Sequence, residues 1–214
     1  MAMESAAMTQ AQPKWPFPPH FLYRDFLDEA DRRALLDWVV ANETAFGESR
    51  LGYGDQDRAR RGSRSLPLRS AMGPWKGRIR ERVAAEMPGL FARAGLKPFE
   101  VSRYELEIVA YQDGDHFRIH RDTVRSGEAG GGRMLTGVYY FHREPKAFTG
   151  GALRLFRFGA TGSTAGDFVD IAPEQNAFLV FPSWALHEVR EVHRQQSDFG
   201  GGRFAVNVWL HKAG

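Results

Sequence analysis

The chain has no cysteine, so disulfides, thiolate metal sites and a cysteine nucleophile are all excluded. It has no apolar run of about 18 residues, which removes a membrane-spanning helix from consideration. Charge of one sign is also lacking. The 29 basic and 26 acidic side chains leave a net charge of +3, too mild to argue for a nucleic-acid partner. The first residues, Met1 to Lys14, lack the basic start and apolar stretch of a signal peptide and read as a disordered leader. A cytoplasmic enzyme or binding protein with no membrane partner is the default expectation.

What remains is an ordinary globular composition, 43% hydrophobic with five tryptophans over 214 residues, enough to bury a real core. The prolines of Trp15-Pro16-Phe17-Pro18-Pro19 fix an extended entry. Asp28-Glu29-Ala30-Asp31 then opens a helix with an apolar stripe that includes Leu35, Val39 and Val40. Residues 46–66 read as a long loop carrying Arg50, Arg58, Arg60, Arg61 and Arg64, either a solvated run or a basic lid over substrate. A second helix begins near Pro74, with Trp75, Ile79, Val83 and Met87 at helical spacing, and Pro88-Gly89 is expected to end or kink it.

From Val101 the period changes to short β-type runs: 105–108, 135–141, 153–158, 167–171, 177–181, 187–192 and 203–211. Helices first and strands after predict an α+β, mainly β chain: a jelly roll of about residues 100–211, buttressed by helices within about 24–95. Residues 15–214 are expected to form a single domain.

Chemistry concentrates at Tyr111-Gln112-Asp113-Gly114-Asp115-His116-Phe117-Arg118-Ile119-His120-Arg121-Asp122. His120 and Asp122 are two apart, so on a strand both point to one face, as two members of a 2-His-1-carboxylate iron site would. If that strand is regular, His116 and Arg118 share the face, which makes Arg118 a candidate for contact with substrate. The second imidazole should come from another strand, and His187, just past the buried run 176–184, is so placed. His20, His142, His193 and His211 read as ordinary surface or turn residues.

Parity in the last strand puts Arg203, Ala205, Asn207 and Trp209 on one face and Phe204, Val206, Val208 and Leu210 on the other. A guanidinium and an amide facing a barrel interior are costly unless something pairs with them. A bound dicarboxylate would do so, because arginine grips carboxylate in a bidentate fork.

These elements together resemble the Fe(II)/2-oxoglutarate-dependent oxygenases, in particular their prolyl 4-hydroxylase-like branch. The resemblance rests on Tyr111, Gly114, Phe117, His120 and Asp122, then Tyr139-Tyr140 and Gly150-Gly151, then His187-Glu188-Val189, and finally Arg203 through Trp209. It covers about residues 100–211 and departs from the common pattern at Phe117, where many members carry a tyrosine. It implies a double-stranded β-helix in which His120, Asp122 and His187 hold Fe(II). It further implies that Arg203, Tyr140, Tyr111 and Asn207 bind 2-oxoglutarate, with O2 as co-reactant, ascorbate as reductant, and Trp209 beside the substrate.

The implied reaction is hydroxylation of an unactivated C–H, with a prolyl residue in a peptide or protein as substrate. A free amino acid or small metabolite is the alternative, and a non-catalytic, cupin-like metal-binding module is a second. The triplets His120-Arg121-Asp122 and Asp198-Phe199-Gly200 imitate those of kinases, but no glycine-rich loop precedes them and Gly127 stands where a kinase needs asparagine.

Overall fold

The computed structural model describes residues 16–50, 57–66, 73–123, 132–160, 167–195 and 198–213. The expected leader therefore lies outside the described residues. Among the described residues two α-helices, α1 (Glu29–Ala41) and α2 (Trp75–Arg93), accompany thirteen strands. The first three strands are β1 (Phe21–Tyr23), β2 (Gly47–Glu48) and β3 (Arg64–Ser65). After α2 come β4 (Val101–Tyr111), β5 (Phe117–His120), β6 (Arg133–Phe141), β7 (Thr149–Gly150) and β8 (Leu153–Phe156). The chain continues through β9 (Phe168–Ile171), β10 (Ala177–Pro182), β11 (His187–Val189), β12 (Val192–His193) and β13 (Arg203–Lys212).

Seven strands form the major sheet in the order β1-β10-β6-β13-β4-β3-β2, and four form the minor sheet, β5-β11-β8-β9. All pairings are antiparallel, and the fold is the double-stranded β-helix. Strand parity explains the layering. Phe204, Val206, Val208 and Leu210 bury one face of β13 in a core with Leu35 and Val39 of α1 and Ile79 and Val83 of α2. Ala205 on the opposite face joins a smaller cluster with Leu153, Leu155, Leu179 and Phe181 between the sheets.

Asp28 caps α1 by accepting from the Asp31 amide at 2.7 Å. Asn176, in the left-handed region at φ 55°, joins the helical layer to the major sheet. Its side-chain oxygen accepts from the Leu27 amide and from the Tyr139 hydroxyl, and its amide donates to Leu27 O.

Two local expectations need correction and a third is narrowed. Segment 46–66 is not loop throughout: β2 and β3 extend the major sheet beside β4, while residues 51–56 lie outside the description. Of the two outcomes expected at Pro88, an end is ruled out: α2 continues to Arg93, because Leu90 and Phe91 are buried in the helix-facing core and packing outweighs the lost hydrogen bond. His142 and His211 are buried, not at the surface. The His142 ring donates to Arg143 O, and His211 Nε2 meets Glu105 Oε2 at 2.7 Å.

Candidate active site

The minor sheet brings the two distant histidines together. His187 opens β11 directly opposite His120 at the end of β5, and Asp122 follows one residue beyond Arg121. Asp122 N and Thr123 N both donate to Ser183 O, fixing the turn that returns the carboxylate toward the rings. Asp122 Oδ1 lies 3.8 Å from His120 Nε2, and Oδ2 lies 3.7 Å from His187 Nε2. One ligand atom from each residue falls within 4.8 Å of the others, so the three could hold a metal ion.

The second ring nitrogen of each histidine is already committed. His120 Nδ1 donates to Arg118 O at 2.7 Å and His187 Nδ1 to Ala185 O at 2.9 Å, which leaves both Nε2 lone pairs free for a metal. Burial, with His187 beside it, pushes His120 down to about 3, so its imidazole is neutral, as a ligand must be. Burial would raise the Asp122 carboxyl, but the two imidazoles outweigh it and hold it below its ordinary range. Thr136 Oγ1 donates to Asp122 Oδ2 at 2.7 Å. The Trp209 indole N–H meets no acceptor at hydrogen-bonding geometry but lies close enough to add to this stabilisation.

A second polar cluster lies on the inner face of the major sheet. Arg203 is 1% exposed and pairs in register with Tyr111, while Ala205 pairs with Tyr140. Arg203 Nε donates to Gly151 O at 2.8 Å, and the guanidinium stands 4.7 Å from the Tyr111 ring and 5.0 Å from that of Tyr140. Burial raises the Tyr111 phenol and pushes that of Tyr140 up to about 12, so both stay protonated. Arg203 Nη2 and Tyr140 OH are buried close to one another, neither with a partner at hydrogen-bonding geometry, and among the described residues no carboxylate lies within ion-pairing distance of Arg203. An unpaired buried cation beside an unpaired hydroxyl is the setting a carboxylate ligand would complete. Gly151, at φ 67°, completes the cradle: a Cβ there would sit 2.7 Å from Arg203 Cδ.

His120, Asp122 and His187 thus come together, as do Arg203, Tyr140 and Tyr111. Asn207 and Trp209 lie on the same inner face of β13, with Asn207 half-buried. Arg118 and His116 do not join them. Two steps along β11 match three along β5, so a bulge breaks the alternation and puts Phe117, not Arg118, on the His120 face. The Phe117 ring stacks on His120 at 3.6 Å, Arg118 is exposed, and His116 bonds to Gly114 O and Ala59 O.

Sequence reasoning missed Arg61. It is 8% exposed, bridges in β fashion to Phe117, holds Glu107 at 2.9 Å and lies 4.9 Å over the Phe117 ring. The signal was in β4, where Glu105 and Glu107 alternate with Leu106 and Ile108, so both carboxylates had to face inward and find cations.

Comparison with known proteins agrees with this geometry. The family model of the 2OG-Fe(II) oxygenase superfamily matches residues 106–211. An uncharacterised PKHD-type hydroxylase of Synechocystis is 39% identical over 153 residues, covering 70% of this chain and 48% of its own length. The chain therefore spans about half the length of that curated relative. Among solved structures, a Trichoplax adhaerens prolyl hydroxylase bound to a hypoxia inducible factor peptide fragment superposes with a TM-score of 0.69 at 18% identity, covering 91% of this chain and 84% of that one. A Pseudomonas putida prolyl-4-hydroxylase gives 0.62 at 21% identity, covering 92% and 94%. With the family model matched over residues 106–211, this chain belongs to the 2OG-Fe(II) oxygenase superfamily.

Proposed function

We propose that this protein is an Fe(II)- and 2-oxoglutarate-dependent dioxygenase that hydroxylates a prolyl residue in a peptide or protein. The observation that carries the reading is the pairing of two incomplete sites. One is a three-ligand cluster with both Nε2 atoms free, and the other is a buried arginine and tyrosine without an acceptor. A metal-binding module without oxygenase activity would have no use for the second site.

His120, Asp122 and His187 would hold the ferrous ion, and Arg203 with Tyr140 would take the far carboxylate of 2-oxoglutarate. Tyr111 and Asn207 offer further contacts to that cosubstrate from the same sheet face. When bound, iron and 2-oxoglutarate with O2 supply the oxidising chemistry, releasing CO2 and succinate and placing one oxygen atom on the substrate carbon. The chain's own share is positioning. Thr136 fixes the Asp122 carboxylate, the Arg118 and Ala185 carbonyls fix the two rings, and Phe117 covers the His120 face against water. Trp209, beside Asp122, lines the approach of substrate. Ascorbate would serve as the reductant that keeps the iron ferrous.

The test is incubation of the iron-loaded protein with 2-oxoglutarate, ascorbate and either prolyl peptides or free amino acids. Iron-dependent succinate and a mass gain of one oxygen atom on a prolyl peptide are expected, and both should vanish in Asp122→Ala. Iron binding without any succinate would sink the reading and leave a metal-binding module.

A further inference from the structure

At the ends of β5, β8 and β11 lies a cleft of about 290 Å³, lined by none of the metal-ligand residues and none of the Arg203 cluster. Buried Phe156 and half-buried Leu186 contribute its apolar base, and Phe158 and Trp184 line it beside them. The rings of Phe158 and Trp184 stack at 5.5 Å yet stay 38% and 40% exposed. An exposed aromatic pair opening onto a cleft marks a contact surface, not a core. Both rings sit on fixed backbone. Phe158 N donates to Pro16 O at 3.0 Å, Ala160 N closes a turn on Arg157 O, and Arg121 Nε donates to Trp184 O at 3.1 Å. A surface held in place before binding loses little freedom when it is covered.

Two guanidiniums border the rings, those of Arg121 and Arg157. On the same sheet Arg154 forks onto Asp170 and Arg190 meets Glu188, so these neighbouring cations are neutralised. Arg121 and Arg157 meet no carboxylate among the described residues, and no acid lines the cleft. The complementary occupant therefore carries separate negative charges on either side of an apolar group. Size narrows its kind. Small-molecule sites run from about 300 to 1,000 Å³ and enclose most of their ligand. This cleft is smaller and open along its exposed rings, which suits one side chain of a longer polypeptide lying across it. Single-stranded nucleic acid fits worse, because bases need free ring faces and phosphates a continuous basic track. Here the two rings cover each other and the adjoining arginines are taken.

We propose that this cleft docks an acidic segment of a partner protein. An aromatic side chain enters beside Phe158 and Trp184, and flanking carboxylates pair with Arg121 and Arg157. Tryptophan and arginine are the residues on which such contacts concentrate their binding energy. The inference goes beyond the oxygenase reading and does not depend on it. Arg121 stands between His120 and Asp122 in sequence, but it is exposed while their side chains are buried at the metal cluster, so the docked segment stays outside that pocket.

The probe is a blocked, fluorescein-labelled Gly-Asp-Phe-Asp-Gly peptide read by anisotropy, with Gly-Lys-Phe-Lys-Gly and a short oligothymidylate as controls. Saturable binding of the acidic peptide is expected, weakening as salt rises. Trp184→Ser should weaken it about tenfold and Arg157→Gln about threefold, with melting temperatures checking that both variants fold. Asp122→Ala, which removes a metal ligand, should bind the peptide as the wild type does. Loss of binding in Asp122→Ala would move the peptide into the metal pocket and overturn the proposal. Equal binding of the lysine peptide, tighter binding of the oligothymidylate, or no saturation up to about 1 mM overturns it as well. Self-association abolished by Trp184→Ser would give the cleft to a second copy of this chain, against the proposal.

Discussion

The two faces of β13 make opposite contributions to the molecule. Facing the helices, Phe204, Val206, Val208 and Leu210 are each no more than 2% exposed, and burial of each such side chain stabilises by about 1.5–3 kcal/mol. Facing the minor sheet, Arg203 and Trp209 each keep a buried donor with no acceptor, which costs about 1–3 kcal/mol apiece. One strand thus carries a face that holds the fold together and a face that strains it. The strained face borders the proposed metal ligands and cosubstrate pocket, where a bound ligand would relieve the strain.

The largest expected effects come from substituting adjacent residues on these two faces. Phe204→Ala should cost about 3–5 kcal/mol in urea unfolding, because it opens a cavity in the helix-facing core. Arg203→Met should leave the ligand-free protein no less stable, since an unpaired buried charge is replaced by a hydrocarbon, yet abolish thermal stabilisation by 2-oxoglutarate. A destabilisation by Arg203→Met as large as that of Phe204→Ala would break the contrast. Smaller is Thr136→Val, which removes the hydroxyl on Asp122 without changing side-chain volume. Iron titration should show an affinity about 10–100-fold weaker, and the metal-free protein should lose about 1–3 kcal/mol, because the buried Asp122 carboxylate and Ser183 hydroxyl each lose a partner.

The last test concerns pH. Burial lowers the pKa of His120, His142 and His211, so below about 6.5 the unfolded chain binds protons that the folded one refuses. Stability of the metal-free protein is therefore fully present above pH 6.5 and falls as the pH drops toward 3. A melting temperature that holds constant from pH 7.5 to 5 would contradict this.

How much of this was legible in the sequence depends on whether a feature follows from period or from contact. Alternation along 203–210 separates the helix-facing residues from the pocket residues, because β13 stays regular across that span, and the spacing of His120 and Asp122 picks out a shared site. The face of Arg118 was not legible, since one extra residue in β5 inverts parity and nothing in Phe117-Arg118-Ile119 announces it. Arg61 was hidden for another reason. It sits among arginines that are mostly exposed, and only the inward acids of β4 single it out. Pro88 alone left open whether α2 ends or continues, because local preference is weak beside the burial of Leu90 and Phe91.

Asn176 leaves little room for exchange. Glycine would keep the backbone turn but strand the Leu27 amide, the Leu27 carbonyl and the Tyr139 hydroxyl in one stroke. Aspartate would keep the acceptor and lose the donor, and glutamine would tolerate the turn poorly. A single side chain thus pins the entry to α1 onto the sheet, beside a helix-facing core that would stay packed without it.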